Sequence, residues 1–231
     1  GSSSSAGTEP WDGRSSRACA ATSRRSSSRA AVLAAVAASG ARDAVDWSRV
    51  DVWWGDERFR PAGDPERNET GARAALLDHV PVDPARVHVM AGPDGADGDD
   101  PDAAAERYAA ELRAAAGPGP VPEFDVLMLG VGPDAHVASL FPGMPGLRDE
   151  RPVVAVRDSP KPPPTRISLT FPSLRAAREV WVLAAGASKA EAVRLALAAG
   201  TDVARAPAVG ARGRDRTLFL LDSAAAAELP G

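Results

Sequence analysis

Residues 124–143 read Phe-Asp-Val-Leu-Met-Leu-Gly-Val-Gly-Pro-Asp-Ala-His-Val-Ala-Ser-Leu-Phe-Pro-Gly. The apolar run from Phe124 to Gly130 reads as a buried strand of a parallel sheet. It ends by delivering glycines, a carboxylate (Asp134) and an imidazole (His136) to one tight loop. In open α/β sheets, ligands bind beyond the carboxyl ends of strands. An imidazole beside a carboxylate at such an end can move protons near neutral pH.

Helix and strand patterns alternate on both sides of this stretch. Ala30–Ser39 is Ala-rich and helical, and Val50–Trp54 is a strand. Glu69–His79 reads as a helix and Arg86–Met90 as a short strand. Pro101 opens a helix to about Ala116, with Asp100 as its N-cap. Strands follow at 153–156, 166–170, 180–184 and 217–221, with a helix at Ser188–Ala199. The alternation predicts an α/β fold: a Rossmann-like, mostly parallel sheet with helices on both faces.

The chain has 231 residues, a net charge of -4 and one cysteine, Cys19. That charge gives no reason to expect nucleic acid or an anionic membrane as partner. One cysteine rules out an internal disulfide framework and a cysteine-based zinc cluster. No apolar run approaches the roughly 20 residues of a membrane span. The composition reads as that of a cytoplasmic protein. No metal spacing of the H-E-x-x-H or Cys/His type is present, and no G-x-S-x-G nucleophile elbow.

Three constellations carry chemistry. Trp53-Trp54-Gly55-Asp56-Glu57-Arg58-Phe59 ends a strand in two carboxylates and a guanidinium, which can grip a phosphate. Any Asp-Glu-Arg triplet is more often a solvated turn, but two tryptophans anchor this one to the core. The second is the Asp134–His136 loop. A lone histidine is usually a satisfied core or surface imidazole, and His79 and His88 are read that way. Gly130, Gly132 and Ala135 also fit the G-x-G-x-x-G/A dinucleotide template. Pro133 interrupts that match, and Pro142 comes too soon for a crossover helix, so the match is rejected and a dehydrogenase is left as the weakest reading. The third, Asp158-Ser-Pro-Lys161-Pro-Pro-Pro-Thr-Arg166, is a proline-stiffened loop carrying two cations. The alternative there is a plain surface connector. Together these suit general acid–base chemistry on a small phosphorylated substrate.

At these residues the chain resembles the 6-phosphogluconolactonases of the glucosamine-6-phosphate isomerase/6-phosphogluconolactonase family. Trp54-Gly-Asp-Glu-Arg58 with Asn68, Gly132-Pro-Asp-Ala-His136 through Ser139-Leu-Phe-Pro142, and Ser159-Pro-Lys-Pro-Pro-Pro164 with Arg166 carry the likeness. The resemblance implies hydrolysis of 6-phospho-D-glucono-1,5-lactone to 6-phospho-D-gluconate in the oxidative pentose phosphate pathway, without a cofactor or metal. It implies that His136 is the general base and that Asp134 helps position its loop. Asp56, Glu57, Arg58, Asn68, Gly132, Ser139, Lys161 and Arg166 are then expected around the substrate, the three cations on its phosphate or carbonyl. Two alternatives remain, a catalytically impaired sugar-phosphate binder and a glucosamine-6-phosphate deaminase-like enzyme. Deaminases typically show Asn-Glu-Pro where this chain has Ser139-Leu-Phe-Pro142.

The chain departs from the family pattern twice. Ala135 stands where the family has Gly, which costs of order 1 kcal/mol if that residue needs φ > 0. Residues 1–29, rich in Ser and Arg, stand where the family has a strand and a Gly-Gly-Ser/Thr phosphate loop, so both are expected to be missing. This segment reads as disordered, or as out of frame, ahead of a single α/β domain over 30–231. A transit peptide fits the Ser/Arg content less well because of Glu9 and Asp12. GC-rich codons for Ser26–Val32, read in a shifted frame, can give Val-Val-Thr-Gly-Gly-Gly, which resembles the missing loop.

Overall fold

The structure, a computed structural model, describes residues 16–20 and 28–230. Its main sheet holds β1 (Ser16–Ala20), β2 (Val50–Trp53), β4 (Val87–His88), β5 (Val126–Gly130), β8 (Glu179–Ala184) and β9 (Arg216–Leu221). Their spatial order is β4-β2-β1-β5-β8-β9, and every pairing is parallel. The helices are α1 (Ser28–Ala38), α2 (Asn68–Ala75), α3 (Pro101–Ala115), α4 (Phe171–Leu174) and α5 (Ala190–Leu197). None of them is long and apolar enough to cross a membrane.

The expectation that the first strand is missing is corrected. Ser16–Ala20 occupies the slot between β2 and β5, with Arg17 opposite Asp51 and Cys19 opposite both Trp53 and Leu127. A parallel ladder is made by backbone N–H and C=O groups, so a stretch without apolar periodicity can fill it. Periodicity is therefore blind to this strand. The expected phosphate loop would follow it and falls on residues outside the described ones.

A second correction concerns the strands at 153–156 and 166–170. They are β6 (Val153–Val156) and β7 (Arg166–Leu169), and they leave the parallel sheet. With β3 (Asp56–Arg58) they form a separate antiparallel sheet of order β3-β7-β6. The connection from Val156 to Arg166 is shorter than the dozen or so residues a parallel crossover requires, so the two strands fold back on each other. All four residues of β7, Arg166 included, are buried.

The local rules for α3 hold as the sequence predicts. Asp100 caps it by accepting from the N–H groups of Asp102 and Ala103. Its stripe Ala104, Ala105, Tyr108, Ala109 and Leu112 is buried, and the helix packs on β6 and β7. From that stripe the Tyr108 hydroxyl bonds Trp54 N at 2.8 Å and Trp54 O at 3.2 Å. This fixes the turn between β2 and β3, and with it the positions of the buried Asp56, Glu57 and Arg58.

Candidate active site

The sheet order reverses at β1: β2 and β4 lie on one side, β5, β8 and β9 on the other. A ligand crevice is expected at the carboxyl ends of the strands where the order reverses. The loop leaving β5 there turns back on itself, with Gly132 N bonded to His136 O and Ala135 N to Gly132 O, both at 2.9 Å. No helix follows β5 directly, which agrees with rejecting the dinucleotide template.

His136 and Asp134 meet on this loop. His136 Nδ1 lies 2.5 Å from Asp134 Oδ1. Lys161 Nζ reaches the same oxygen at 2.7 Å and lies 3.2 Å from Nδ1. Burial alone would raise the Asp134 carboxyl, but the hydrogen bonds and charges of His136 and Lys161 hold it well below its ordinary value. An ionised carboxylate cannot donate, so Nδ1 carries the hydrogen. Nε2 is then the basic nitrogen. Burial pulls the imidazole below its ordinary pKa and Lys161 adds to this, against Asp134 and Asp56, which favour its cation. The ring packs on Phe141, with centroids 4.5 Å apart.

Four residues expected at the substrate form a buried hydrogen-bond network. Asp56, Glu57, Asn68 and Ser139 are all buried, and their polar atoms serve one another. Ser139 Oγ donates to Asp56 Oδ2 at 2.8 Å, and Asn68 Nδ2 donates to Asp56 O at 2.6 Å. Glu57 caps α2 from a distance: its two oxygens accept the N–H groups of Asn68 and Glu69 at 2.7 and 2.9 Å. Burial pushes the Glu57 carboxyl up to about 7, against Arg67 and three backbone N–H groups that favour its charge. Three backbone N–H groups, of Arg58, Asn68 and Glu69, already fill most of its acceptor sites. The network's task is to tie β3, α2 and the His136 loop together.

The three cations have different partners. Arg166 is buried, and its guanidinium donates to the carbonyls of Pro163, Lys161 and Pro162 at 3.2, 2.9 and 3.1 Å. Through Nε and Nη2 it clamps the proline loop. Arg58 Nη1 donates to Glu66 O and Asn68 Oδ1 at 2.7 and 2.8 Å. Lys161 alone touches the His136–Asp134 pair. His79 and His88 have ordinary roles: His79 Nε2 lies 3.0 Å from Ala74 O, and the His88 ring stacks on Trp53.

Sequence reasoning overlooked Ser168, Arg67 and Lys189. Ser168 Oγ receives Ser139 N at 3.1 Å from below the loop. Arg67 is buried against Glu57, with Nη2 on Met90 O at 2.7 Å. Lys189 stands where the chain leaves β8 for α5, and β8 is the direct neighbour of β5. It is one of only two lysines in the chain, the other being Lys161. That scarcity was the available signal.

Ala135 has φ +61° and is fully buried, so the left-handed conformation is real at this position. Strain of about 1–2 kcal/mol is set against a buried methyl contributing about 0.8 kcal/mol and the extra chain entropy of glycine. Ala135→Gly should therefore change the unfolding free energy by less than about 1 kcal/mol in either direction. Denaturant unfolding checks this. A loss of several kcal/mol would mean that methyl packing, not backbone strain, dominates there.

The sequence pattern of the glucosamine-6-phosphate isomerases/6-phosphogluconolactonase family matches residues 27–220. A 6-phosphogluconolactonase of Streptomyces coelicolor is 64% identical over 203 residues, 86% of this chain and 77% of that protein. One of Mycobacterium tuberculosis is 53% identical over 188 residues, 80% of this chain and 76% of that protein. Among solved structures, a 6-phosphogluconolactonase from Trypanosoma brucei superposes with a TM-score of 0.72 at 28% identity, covering 94% of this chain and 87% of that one.

Proposed function

The chain belongs to the glucosamine-6-phosphate isomerase/6-phosphogluconolactonase family, and from that premise we propose that it hydrolyses 6-phospho-D-glucono-1,5-lactone to 6-phospho-D-gluconate in the oxidative pentose phosphate pathway. The observation that carries the reading is the His136–Asp134 pair at the carboxyl end of β5, with Nδ1 tied to the carboxylate and Nε2 left as the base. In this reading Nε2 takes a proton from water as the water oxygen bonds to the lactone carbonyl carbon. The tetrahedral adduct collapses by breaking the bond to the ring oxygen, which receives the proton back from the imidazolium. Asp134 stabilises that imidazolium, and the imidazole ends neutral. The sugar is too highly charged to cross a bilayer, so enzyme and substrate share a compartment. We read that compartment as the cytoplasm.

The phosphate end falls to Lys189. Lys189 enters by topology, since the loop after β8 borders the loop after β5. A charge-assisted hydrogen bond contributes about 1.5–3 kcal/mol. Lys189→Ala should therefore raise KM for the phosphorylated lactone by roughly 10- to 100-fold while scarcely affecting unphosphorylated gluconolactone. Steady-state kinetics on both lactones measures this. Equal losses on the two substrates would remove Lys189 from the phosphate site. The function itself is tested by lactone hydrolysis above the spontaneous rate, alongside an assay for ammonia released from glucosamine 6-phosphate. Ammonia release without lactonase activity would overturn the proposal in favour of the deaminase alternative.

A further inference from the structure

Lys161 and His136 hold the same carboxylate oxygen. Asp134 Oδ1 is 2.5 Å from His136 Nδ1 and 2.7 Å from Lys161 Nζ, and the two nitrogens are 3.2 Å apart. The loop around Lys161 is built to keep the ammonium there. Ser159 N bonds Pro164 O at 3.0 Å, closing the loop, and Ser159 Oγ donates to Lys161 O at 3.0 Å. Arg166 donates to the carbonyls of Lys161, Pro162 and Pro163. Its guanidinium lies over Phe141 at 5.5 Å, and Phe141 in turn packs on the His136 ring. Loop, clamp, aromatic ring and imidazole thus form one assembly with the ammonium against Nδ1.

Lys161 is partly exposed, yet its ammonium is paired at a place where a cation directly affects the base. A histidine whose Nδ1 faces a lone carboxylate is easily protonated, and a protonated base cannot accept a proton from water. A second cation on the same carboxylate opposes that protonation. We propose that Lys161 is the positioning residue of the general base: its ammonium shares Asp134 with the ring and disfavours the imidazolium.

Every charged group facing the ring enters this balance. Burial, the largest influence, opposes the imidazolium, as does Lys161; Asp134 on the ring's own loop and Asp56 at the start of β3 favour it. The role rests on the lactonase reading only for its consequence in catalysis; the charge balance itself can be measured without substrate.

The test is a proton NMR titration of the imidazole Cε1–H signals in the full chain. There are three histidines, and the His136 signal is the one lost in His136→Asn. In Lys161→Met, His136 should titrate about one pH unit or more above its value in the unmodified chain. Lys161→Arg, which keeps the cation, should bring it most of the way back. The acid limb of kcat/KM should move upward in Lys161→Met by the same amount, and KM should change alike for phosphorylated and unphosphorylated lactone. A His136 titration unmoved by Lys161→Met, or moved downward, overturns the proposal. A selective rise in KM for the phosphorylated lactone with the acid limb unmoved also overturns it and makes Lys161 a phosphate ligand. If the titration moves as expected in a chain that hydrolyses no lactone, the lactonase reading fails and the charge pairing stands.

Discussion

His136→Asn should lower kcat/KM for the phosphorylated lactone by roughly 10²- to 10⁴-fold, the usual contribution of a general base, while the chain stays folded. The amide is close in size to the imidazole and can still donate toward Asp134, so the loop keeps its shape. What is lost is the basic Nε2 lone pair. The ring is not a keystone of the main core; it lies on Phe141 at the surface end of β5, so the cost in stability should be small. The lactone also opens spontaneously, so the rate must be read above that background and below the pH at which hydroxide competes. Asp134→Asn should reduce the rate by a related route: an amide cannot stabilise the imidazolium as a carboxylate does, and it frees Lys161. Near-normal activity of His136→Asn at neutral pH would remove His136 from the mechanism.

Elements governed by strong local rules are legible in the amino-acid sequence. The capped, proline-led helix at 101–115 and the apolar strand at 126–130 obey such rules, and the dyad at Asp134 and His136 follows from the strand-end loop. What is not legible has physical reasons. Strand β1 is held by backbone pairing on both edges and carries a sequence, Ser-Arg-Ala-Cys-Ala, without apolar alternation. Strand β3 is three residues, all charged and all buried, so it reads as a solvated turn until β7 is known to pair with it. The site residues divide in the same way. Asp56, Glu57 and Arg166 stand out by their place in a strand-end turn and a proline-stiffened loop, Asn68 and Ser139 only because of a resemblance, and neither signal separates residues that touch substrate from residues that hold those that do. Burial and hydrogen bonding add that distinction where they are complete, as at Glu57, which is buried and accepts three backbone N–H groups. The same reasoning assigns the clamp to Arg166 and leaves Lys161 at the base.

The second large effect is expected at Gly132, which sequence reasoning places near the substrate. A Cβ built on Gly132 would stand 2.0 Å from His136 Nδ1, 2.1 Å from His136 Cε1 and 2.4 Å from Asp134 Oδ1. These approaches are far inside van der Waals contact, so glycine is required here because the dyad lies directly on its α-carbon. In Gly132→Ala something must move by about 1 Å or more to reach ordinary contact near 3.5 Å. The backbone is constrained, since Gly132 N bonds His136 O and its own carbonyl accepts from Ala135 N. The side chains give way instead: the ring is pushed off Asp134, and the carboxylate off Lys161. A displacement of that size at a reacting group can cost about 10²-fold, so kcat should fall by roughly that factor. The main core does not depend on the ring, so the melting temperature should drop by only a few degrees. If the loss acts through the imidazole, it must vanish once the imidazole is gone, because residues acting as one unit are not additive. Gly132→Ala in a His136→Asn background should therefore reduce the residual rate little further. Two results would refute this account: near-normal turnover in the single variant, or a second full loss in the double variant, which would show that Gly132 serves the reaction independently of His136.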